Sequence, residues 1–341
     1  MILWSFRSRS GRFRIMLRGE RKMSYDRMAS AYARLKILLE SSSDEEKANF
    51  LREAIPELID GYEISGYSRA VRERSFLPRI SGAIDIVGTG GDGKNTINVS
   101  TAASVVVSAM GHTVVKHGNF GSSNHKGSAD FMKYLGYNFN FNEDGLRDRI
   151  SALNFAFLLA PLHNDSFAKF AAARKIVARK TVFNYLGPIT NPADPETVVL
   201  GAADTNIQKI YAEFMQAEGK TGYSLHADDG MDEVSPFSGT VLLHVHSNGI
   251  RKITIEPEKL LSTSPDEKHI ESPDPEKSFA MTVQGLSGKS RATAEFIALN
   301  AAPALAAARG DYSLDNAYSK ALECILSGAA YAHLRRIVEF A

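Results

Sequence analysis

Ile84-Asp85-Ile86-Val87-Gly88-Thr89-Gly90-Gly91-Asp92-Gly93-Lys94-Asn95-Thr96-Ile97-Asn98-Val99-Ser100-Thr101 decides how the rest of this chain is read. Residues 83–87 have the composition of a short strand and end in four glycines within six residues. An apolar run over 102–110, opened by Ser100 and Thr101, then reads as a helix. Glycines after a strand permit positive φ and let backbone N–H groups approach an anion. A helix N-terminus adds unpaired donors and a partial positive charge. The pattern suits a phosphate or a diphosphate. It is not a P-loop, because Asn95 follows Lys94 where Ser or Thr is needed. Nor does it carry the third glycine and the later acid of the dinucleotide fingerprint. A plain tight turn between strand and helix would use the same glycines.

Outward from this stretch, strand-like and helix-like segments alternate. Strands are expected near 113–115, 155–160, 198–201 and 223–226, with a hairpin over 242–245 and 250–255 around Ser247-Asn248-Gly249. Helices are expected over 128–135, 169–179, 207–217, 291–309, 314–327 and 329–340, and 256–278 reads as a solvated loop. Such alternation argues an α/β fold with a central, mostly parallel sheet and right-handed crossovers. Ligands in such sheets bind beyond the carboxyl ends of the strands. The polar segments 88–101, 116–128, 161–174 and 226–233 each follow a strand, so they are expected to form one site. Residues 24–81 read as helices only, with Ser43-Asp44-Glu45-Glu46 as a capping box. So short a helical domain must pack on the larger part or on a second subunit. The expected organisation is a basic extension at 1–23, a small N-terminal helical domain at 24–81 and a larger α/β domain at 82–341. Part of 165–195 is expected to pack with the helices.

With 341 residues, a net charge of +1 and 23% charged residues, the chain has no general affinity for polyanions. The single cysteine, Cys324, excludes an internal disulfide and a cysteine-rich zinc site, and it fits a reducing cytoplasm. No apolar run approaches the ~18 residues of a membrane span. The first 23 residues hold seven Arg or Lys against one Glu, the composition of a transit peptide or of a stretch upstream of a start at Met23. The second of these is the expectation.

Candidate chemistry lies in three further places. Lys116-His117-Gly118-Asn119-Phe120-Gly121-Ser122-Ser123-Asn124-His125-Lys126-Gly127-Ser128 mixes cations, small residues and hydroxyls, as suits a phosphate monoester, and Ser128 is placed to cap a helix. A solvated loop has the same composition. Asp232 and Glu233 are adjacent acids that can share magnesium with substrate phosphates. Arg174 offers a guanidinium fork for a carboxylate, although spacing does not select it over Lys169, Lys175, Arg179 or Lys180.

Together the motifs Gly88-Thr89-Gly90-Gly91-Asp92-Gly93, Asn98-Val99-Ser100-Thr101, Lys116-His117-Gly118-Asn119, Gly127-Ser128-Ala129-Asp130, Asn184-Tyr185-Leu186-Gly187-Pro188 and Gly230-Met231-Asp232-Glu233 resemble those of anthranilate phosphoribosyltransferases, in that family's order over residues 24–341. Related loops also occur in pyrimidine nucleoside phosphorylases of the same superfamily. The resemblance implies transfer of a 5-phosphoribosyl group from phosphoribosyl diphosphate to anthranilate in tryptophan biosynthesis, by a homodimer using Mg2+, with two ions expected. It implies that Gly88, Gly91, Asp92, Thr96, Asn98, Lys116, Asn119, Ser123 and Ser128 contact phosphoribosyl diphosphate. Ser100, Asp232 and Glu233 would hold the metal, and Gly88, Asn119, His163 and Arg174 would meet anthranilate. No residue is assigned as a general base.

Departures from the family pattern fall mainly on the acceptor side. Phe120 stands where the family has arginine, the following segment keeps only part of the Ser-Lys-Ser pattern, and His163-Asn164-Asp165 replaces Tyr-His-Pro. Weak acceptor binding is the expectation. A phosphorylase would use inorganic phosphate, against which the paired acids argue. A non-catalytic nucleic-acid binder would need a basic face, to which the near-neutral charge gives little support, although the N-terminal arginines could supply one.

Overall fold

The computed structural model describes residues 18–75, 77–121, 126–264, 266–310 and 312–340. The expectations for 1–17 and for Ser123 lie outside these residues. The chain opens with α1 (Arg18–Ser41), α2 (Asp44–Glu53) and α3 (Gly61–Arg72), so the first helix begins inside the stretch set apart as an extension. The capping box is formed as the sequence reads: Ser43 Oγ accepts from Glu46 N at 3.2 Å, and Glu46 Oε2 accepts from Ser43 N at 2.7 Å. Asp60 Oδ1 caps α3 by accepting from the N–H groups of Tyr62 and Glu63.

There follow β1 (Ile84–Gly88), α4 (Val99–Ala109), β2 (Val114–Gly118), α5 (Ser128–Tyr134), α6 (Glu143–Leu153) and β3 (Phe155–Leu159). Four short helices come next: α7 (Ala160–His163), α8 (Ser166–Lys169), α9 (Ala171–Val177) and α10 (Val182–Leu186). Then come β4 (Thr197–Gly201), α11 (Thr205–Ala217), β5 (Thr221–Ala227), β6 (Thr240–His246) and β7 (Gly249–Ile255). Helices α12 (Pro275–Leu286), α13 (Arg291–Arg309), α14 (Leu314–Leu326) and α15 (Ala329–Glu339) complete the chain.

The seven strands form one sheet in the order β3-β2-β1-β4-β5-β6-β7. The first five are parallel, and the hairpin β6–β7 adds two antiparallel strands. One core joins Val105 and Val106 of α4, Phe155 and Phe157 of β3, and Phe296, Ile297 and Leu305 of α13. A second joins Leu35, Phe50, Ile64 and Tyr67 of the N-terminal helices with Phe170, Phe183 and Leu186, and with Phe214 of α11 and Leu200 of β4. The N-terminal helices therefore bury their apolar faces against the rest of the chain, as their small size demands.

Three local expectations change. The basic helix over 169–179 is broken into α8 and α9 at Phe170, whose buried ring stacks on Phe183 with centroids 4.4 Å apart. The polar run 138–154, read as no element, contains α6, capped by Asn142 Oδ1 accepting from Gly145 N at 3.0 Å. The supposed solvated loop 256–278 carries two short 3-10 turns and the start of α12. Its Ile270 and Ser272 are buried, so one apolar anchor outweighs the charged residues around it.

Candidate functional site at the sheet switch point

The chain runs outward from β1 to β2 and β3, then returns to place β4 on the other side of β1. Ligand crevices form at such a reversal, outside the carboxyl ends of the strands. Here Gly88 and Gly201 end β1 and β4 as register partners. A Cβ on Gly88 would lie 2.5 Å from Asp232 Oδ2, and one on Gly201 would collide with the Asp232 carbonyl oxygen. The two glycines thus let the acidic turn settle on the strand ends. Asp232 Oδ2 accepts from Gly90 N at 2.6 Å and from Thr89 Oγ1 at 3.1 Å. Gly90, Gly91 and Gly93 have φ of 64°, 73° and 81°, and no described atom lies within 4 Å of where their Cβ atoms would be. The loop is therefore free to receive a ligand against its backbone. It leads to Asn98, which precedes the first turn of α4.

The acids beside this loop are buried and crowd one another. Burial raises the pKa of Asp232, and the neighbouring Asp92 raises it further. Burial likewise raises that of Glu233, with Asp232 and Asp92 adding to the effect. Glu233 Oε2 is shut from solvent and has no hydrogen-bond partner among the described residues. Thr96 and Ser100, both half-buried, stand at the exit of the same loop and in the first turn of α4. These hard oxygens fit a magnesium ion. Among the described residues no three acidic, histidine or cysteine side chains form a complete ion site. That is the usual situation for Mg2+, which takes one or two carboxylates and completes its shell with water and substrate phosphates.

On the second loop, exposed Asn119 holds Phe120 N with its Oδ1 at 2.8 Å and Ala129 N with its carbonyl at 3.1 Å. Ser128 does not cap α5. Gly127 is the capping residue, and Asp130 Oδ2 accepts from Gly127 N at 3.0 Å and Gly121 N at 2.7 Å. Ser128 is the first helical residue, and its Oγ lies 2.3 Å from where a Cβ on Gly118 would be, next to the strand end. Lys116, expected among the donor contacts, lies inside the core. It is 1% exposed, and its Nζ donates to the Ile86 carbonyl at 2.7 Å. Burial lowers its pKa to about 8, opposed by Asp85 and Glu233.

The third loop places His163 at the end of α7, 5% exposed, with Nε2 unpartnered among the described residues and its ring 6.0 Å from that of Phe141. Asn164 is turned to the N-terminal helices: its Nδ2 donates to the Val71 carbonyl at 2.6 Å and its Oδ1 accepts from Ser166 N at 2.8 Å. Arg174, half-buried on α9, has no salt bridge among the described residues. Burial alone lowers its pKa, with no carboxylate working against the shift.

Residues 81–331 match the family model described as "Glycosyl transferase family, a/b domain". The chain is 43% identical over 295 residues to the anthranilate phosphoribosyltransferase of Picrophilus torridus, covering 86% of this chain and 90% of that protein. The chain belongs to the anthranilate phosphoribosyltransferase family. Among solved structures, the family member from Thermus thermophilus matches with a TM-score of 0.84 and 30% identity, over 94% of this chain and 98% of that one. The Saccharomyces cerevisiae anthranilate phosphoribosyltransferase, solved in complex with PRPP and Mg, matches with a TM-score of 0.79 and 27% identity, over 92% of each chain.

Beyond the family motifs, the structure shows supporting residues that sequence reasoning missed. Asn300 of α13 brackets the acidic turn, accepting from Val234 N at 2.8 Å and donating to Val234 O at 3.1 Å. Buried Asp85 accepts from Asn191 Nδ2 at 2.8 Å, and Asn191 also donates to Val115 O at 2.7 Å. An acid inside an otherwise apolar strand was the available signal for Asp85. Asn300 gave none.

Proposed function

We propose that this chain transfers the 5-phosphoribosyl group of phosphoribosyl diphosphate to the amine of anthranilate, releasing diphosphate, in tryptophan biosynthesis. The observation that carries the reading is the seating of Asp232 on Gly88, Thr89 and Gly90, which makes an acidic turn and an open glycine loop one surface. Family membership supports the chemistry, and the yeast relative bound to PRPP and Mg supports the donor.

In this reading Gly88, Gly91, Asp92, Thr96, Asn98, Asn119, Ser123 and Ser128 bind the donor, and Ser100, Asp232 and Glu233 hold magnesium, with two ions. Lys116 acts from below as a buried positive charge rather than as an open ligand. Asn98 Oδ1, shut from solvent and unpartnered among the described residues, suits a ribose hydroxyl. Magnesium would supply positive charge to the departing diphosphate. The backbone donors of the glycine loop and of the α4 N-terminus are fixed in advance around that leaving group, so they stabilise it most as its charge grows. The ribose turns cation-like as its bond breaks, and a neutral aniline nitrogen can attack it. Catalysis then rests on orientation and leaving-group stabilisation, and no general base is required.

Gly88, Asn119, His163 and Arg174 form the acceptor side, with Arg174 pairing the anthranilate carboxylate. We assign residues 24–81 to a small helical domain and 82–341 to an α/β domain. A homodimer through the helical part is supported by the exposed apolar side chains of Met23, Tyr25, Ile37 and Leu58. No helix among the described residues is long and apolar enough to cross a membrane, and the lone cysteine suits the cytoplasm. The test is the loss of anthranilate fluorescence on mixing the protein with phosphoribosyl diphosphate and Mg2+. Unchanged fluorescence, with binding of both substrates absent, rejects the reading.

A further inference from the structure

The segment 268–274 is a strap laid across the exit of the glycine loop. Ile97 N donates to Ile270 O at 2.8 Å, Ser272 N donates to Asn95 O at 2.8 Å, and Thr96 bridges Glu271 in antiparallel fashion. From the far side, Thr293 Oγ1 of α13 donates to His269 O at 2.7 Å. The glycine loop and the strap therefore run side by side here, and one side chain from the second loop joins these two. Lys126, from the second loop, donates from Nζ to Asn95 O at 3.1 Å and to Ser272 O. Its own carbonyl accepts from Asn98 Nδ2 at 3.0 Å, and this fixes which way the Asn98 amide faces.

We propose that Lys126 is a positioning residue of the donor site. Its ammonium clamps the strap to the glycine loop while its carbonyl orients Asn98, and the two actions hold both phosphate-facing loops in one geometry. The physical reason is the number of donors. An ammonium has three N–H groups on one flexible stem, so a single Lys can serve carbonyls from two loops, and charge makes those bonds stronger than neutral ones. Half-burial of Lys126 keeps water from competing for the same carbonyls. Glu271 on the strap adds a negative charge near it. Order gained in the free protein is order that the ligand does not have to impose on binding, so the clamp acts on donor affinity rather than on the chemical step.

This inference rests on the reading of the glycine loop as the site of phosphoribosyl diphosphate. The experiment compares the full-length protein with Lys126→Met, Lys126→Arg and Thr293→Val. Phosphoribosyl diphosphate with Mg2+ is titrated calorimetrically without acceptor, and hydrogen exchange is followed at the Ile97 and Ser272 amides. Lys126→Met is expected to weaken donor binding about tenfold and to raise the donor KM in parallel, with kcat and the anthranilate KM within about threefold of wild type. Exchange at both amides rises with it. Lys126→Arg recovers most of the affinity. Thr293→Val, which frees the strap at its other anchor, gives a smaller change in the same direction and serves if Lys126→Met does not fold. Unchanged affinity overturns the proposal. So does faster exchange without weaker binding, which makes the strap merely structural. Weaker binding without faster exchange also overturns it, because Lys126 is then a direct ligand. Failure of the wild-type protein to bind phosphoribosyl diphosphate rejects the donor-site reading itself.

Discussion

The Asp232 carboxylate and the Gly90 N–H meet at 2.6 Å, so the acidic turn after β5 and the glycine loop after β1 are a single unit. Because Gly201 supports that turn from below, its lack of a side chain is a requirement of the site although it touches no substrate in the proposed reading. Gly201→Ala would drive its methyl group into the Asp232 carbonyl. Backbone must then move, at roughly 1–3 kcal/mol. The expected outcome is a lower midpoint in urea together with a large loss of Mg2+-dependent donor binding, measured by calorimetry. Wild-type donor affinity in this variant would show that the turn is not held by the strand ends.

Asp232 also sets a pH dependence. Its pKa is raised from 3.8 to about 6 by burial first and by Asp92 second. A carboxyl with a raised folded pKa binds more protons folded than unfolded, so stability falls as pH rises between about 4 and 6. Asp232→Asn keeps an oxygen for Gly90 N and Thr89 Oγ1 while removing the charge. At pH 7 and without Mg2+ it is expected to be more stable than wild type, by on the order of 1–3 kcal/mol. Stabilisation by Mg2+ with phosphoribosyl diphosphate should disappear. Thermal melts from pH 4 to 7, with and without both ligands, read the two effects separately. A pH slope identical to that of wild type would mean that Asp232 is not the source.

The site edge was legible because strands that bury both faces are short apolar runs and their polar extensions fall on one side. Gly88, Asp232 and Glu233 fall on that edge, and the family resemblance supplied their expected roles. What could not be read is where side chains turn once packing competes for them. Lys116 was expected among the donor contacts with no sign of how deep it lies, and the Ile86 carbonyl holds its Nζ within the core. The stretch 256–278 looked solvated because charges outnumber apolar residues, yet Ile270 and a few backbone bonds to residues 95–97 fasten it to the site. Ser128 had the right chemistry for a cap, but Asp130 reaches the free N–H groups instead. The first two are tertiary partners outcompeting a local preference, and the third is a neighbouring side chain of the same helix taking the cap.

Asn164 shows the same competition with a consequence for stability. Its amide serves the last turn of α3 through Val71 O and the first residue of α8 through Ser166 N, both inside the protein. Asn164→Ala would leave Ser166 N without its partner, at roughly 1–3 kcal/mol, and would leave Val71 O with its backbone bond from Arg74 N. The variant should unfold at clearly lower denaturant and still bind phosphoribosyl diphosphate with wild-type affinity. A neutral effect on stability would mean that water replaces both bonds.

In the proposed reading the acceptor side turns on Arg174. A half-buried guanidinium with no acidic partner among the described residues, its pKa lowered by burial alone, is a cation held ready for a carboxylate from outside the chain. Anthranilate presents a carboxylate and a flat ring, so it needs such a fork and one wall. Asn164 is committed to backbone and supplies no ring. His163 is buried near Phe141 and has one nitrogen without a partner among the described residues. Arg174→Ala is therefore expected to raise the anthranilate KM by an amount equivalent to about 2–5 kcal/mol, with the donor KM nearly unchanged. Arg174→Lys should recover little, because a point charge does not reproduce a two-pronged contact. His163→Ala separates wall from packing: an added loss of acceptor affinity makes the imidazole part of the pocket. If only stability falls, it is packing. Initial rates over a grid of both substrate concentrations give the two KM values independently. An anthranilate KM untouched by both Arg174→Ala and His163→Ala would place the acceptor on another loop of the same edge.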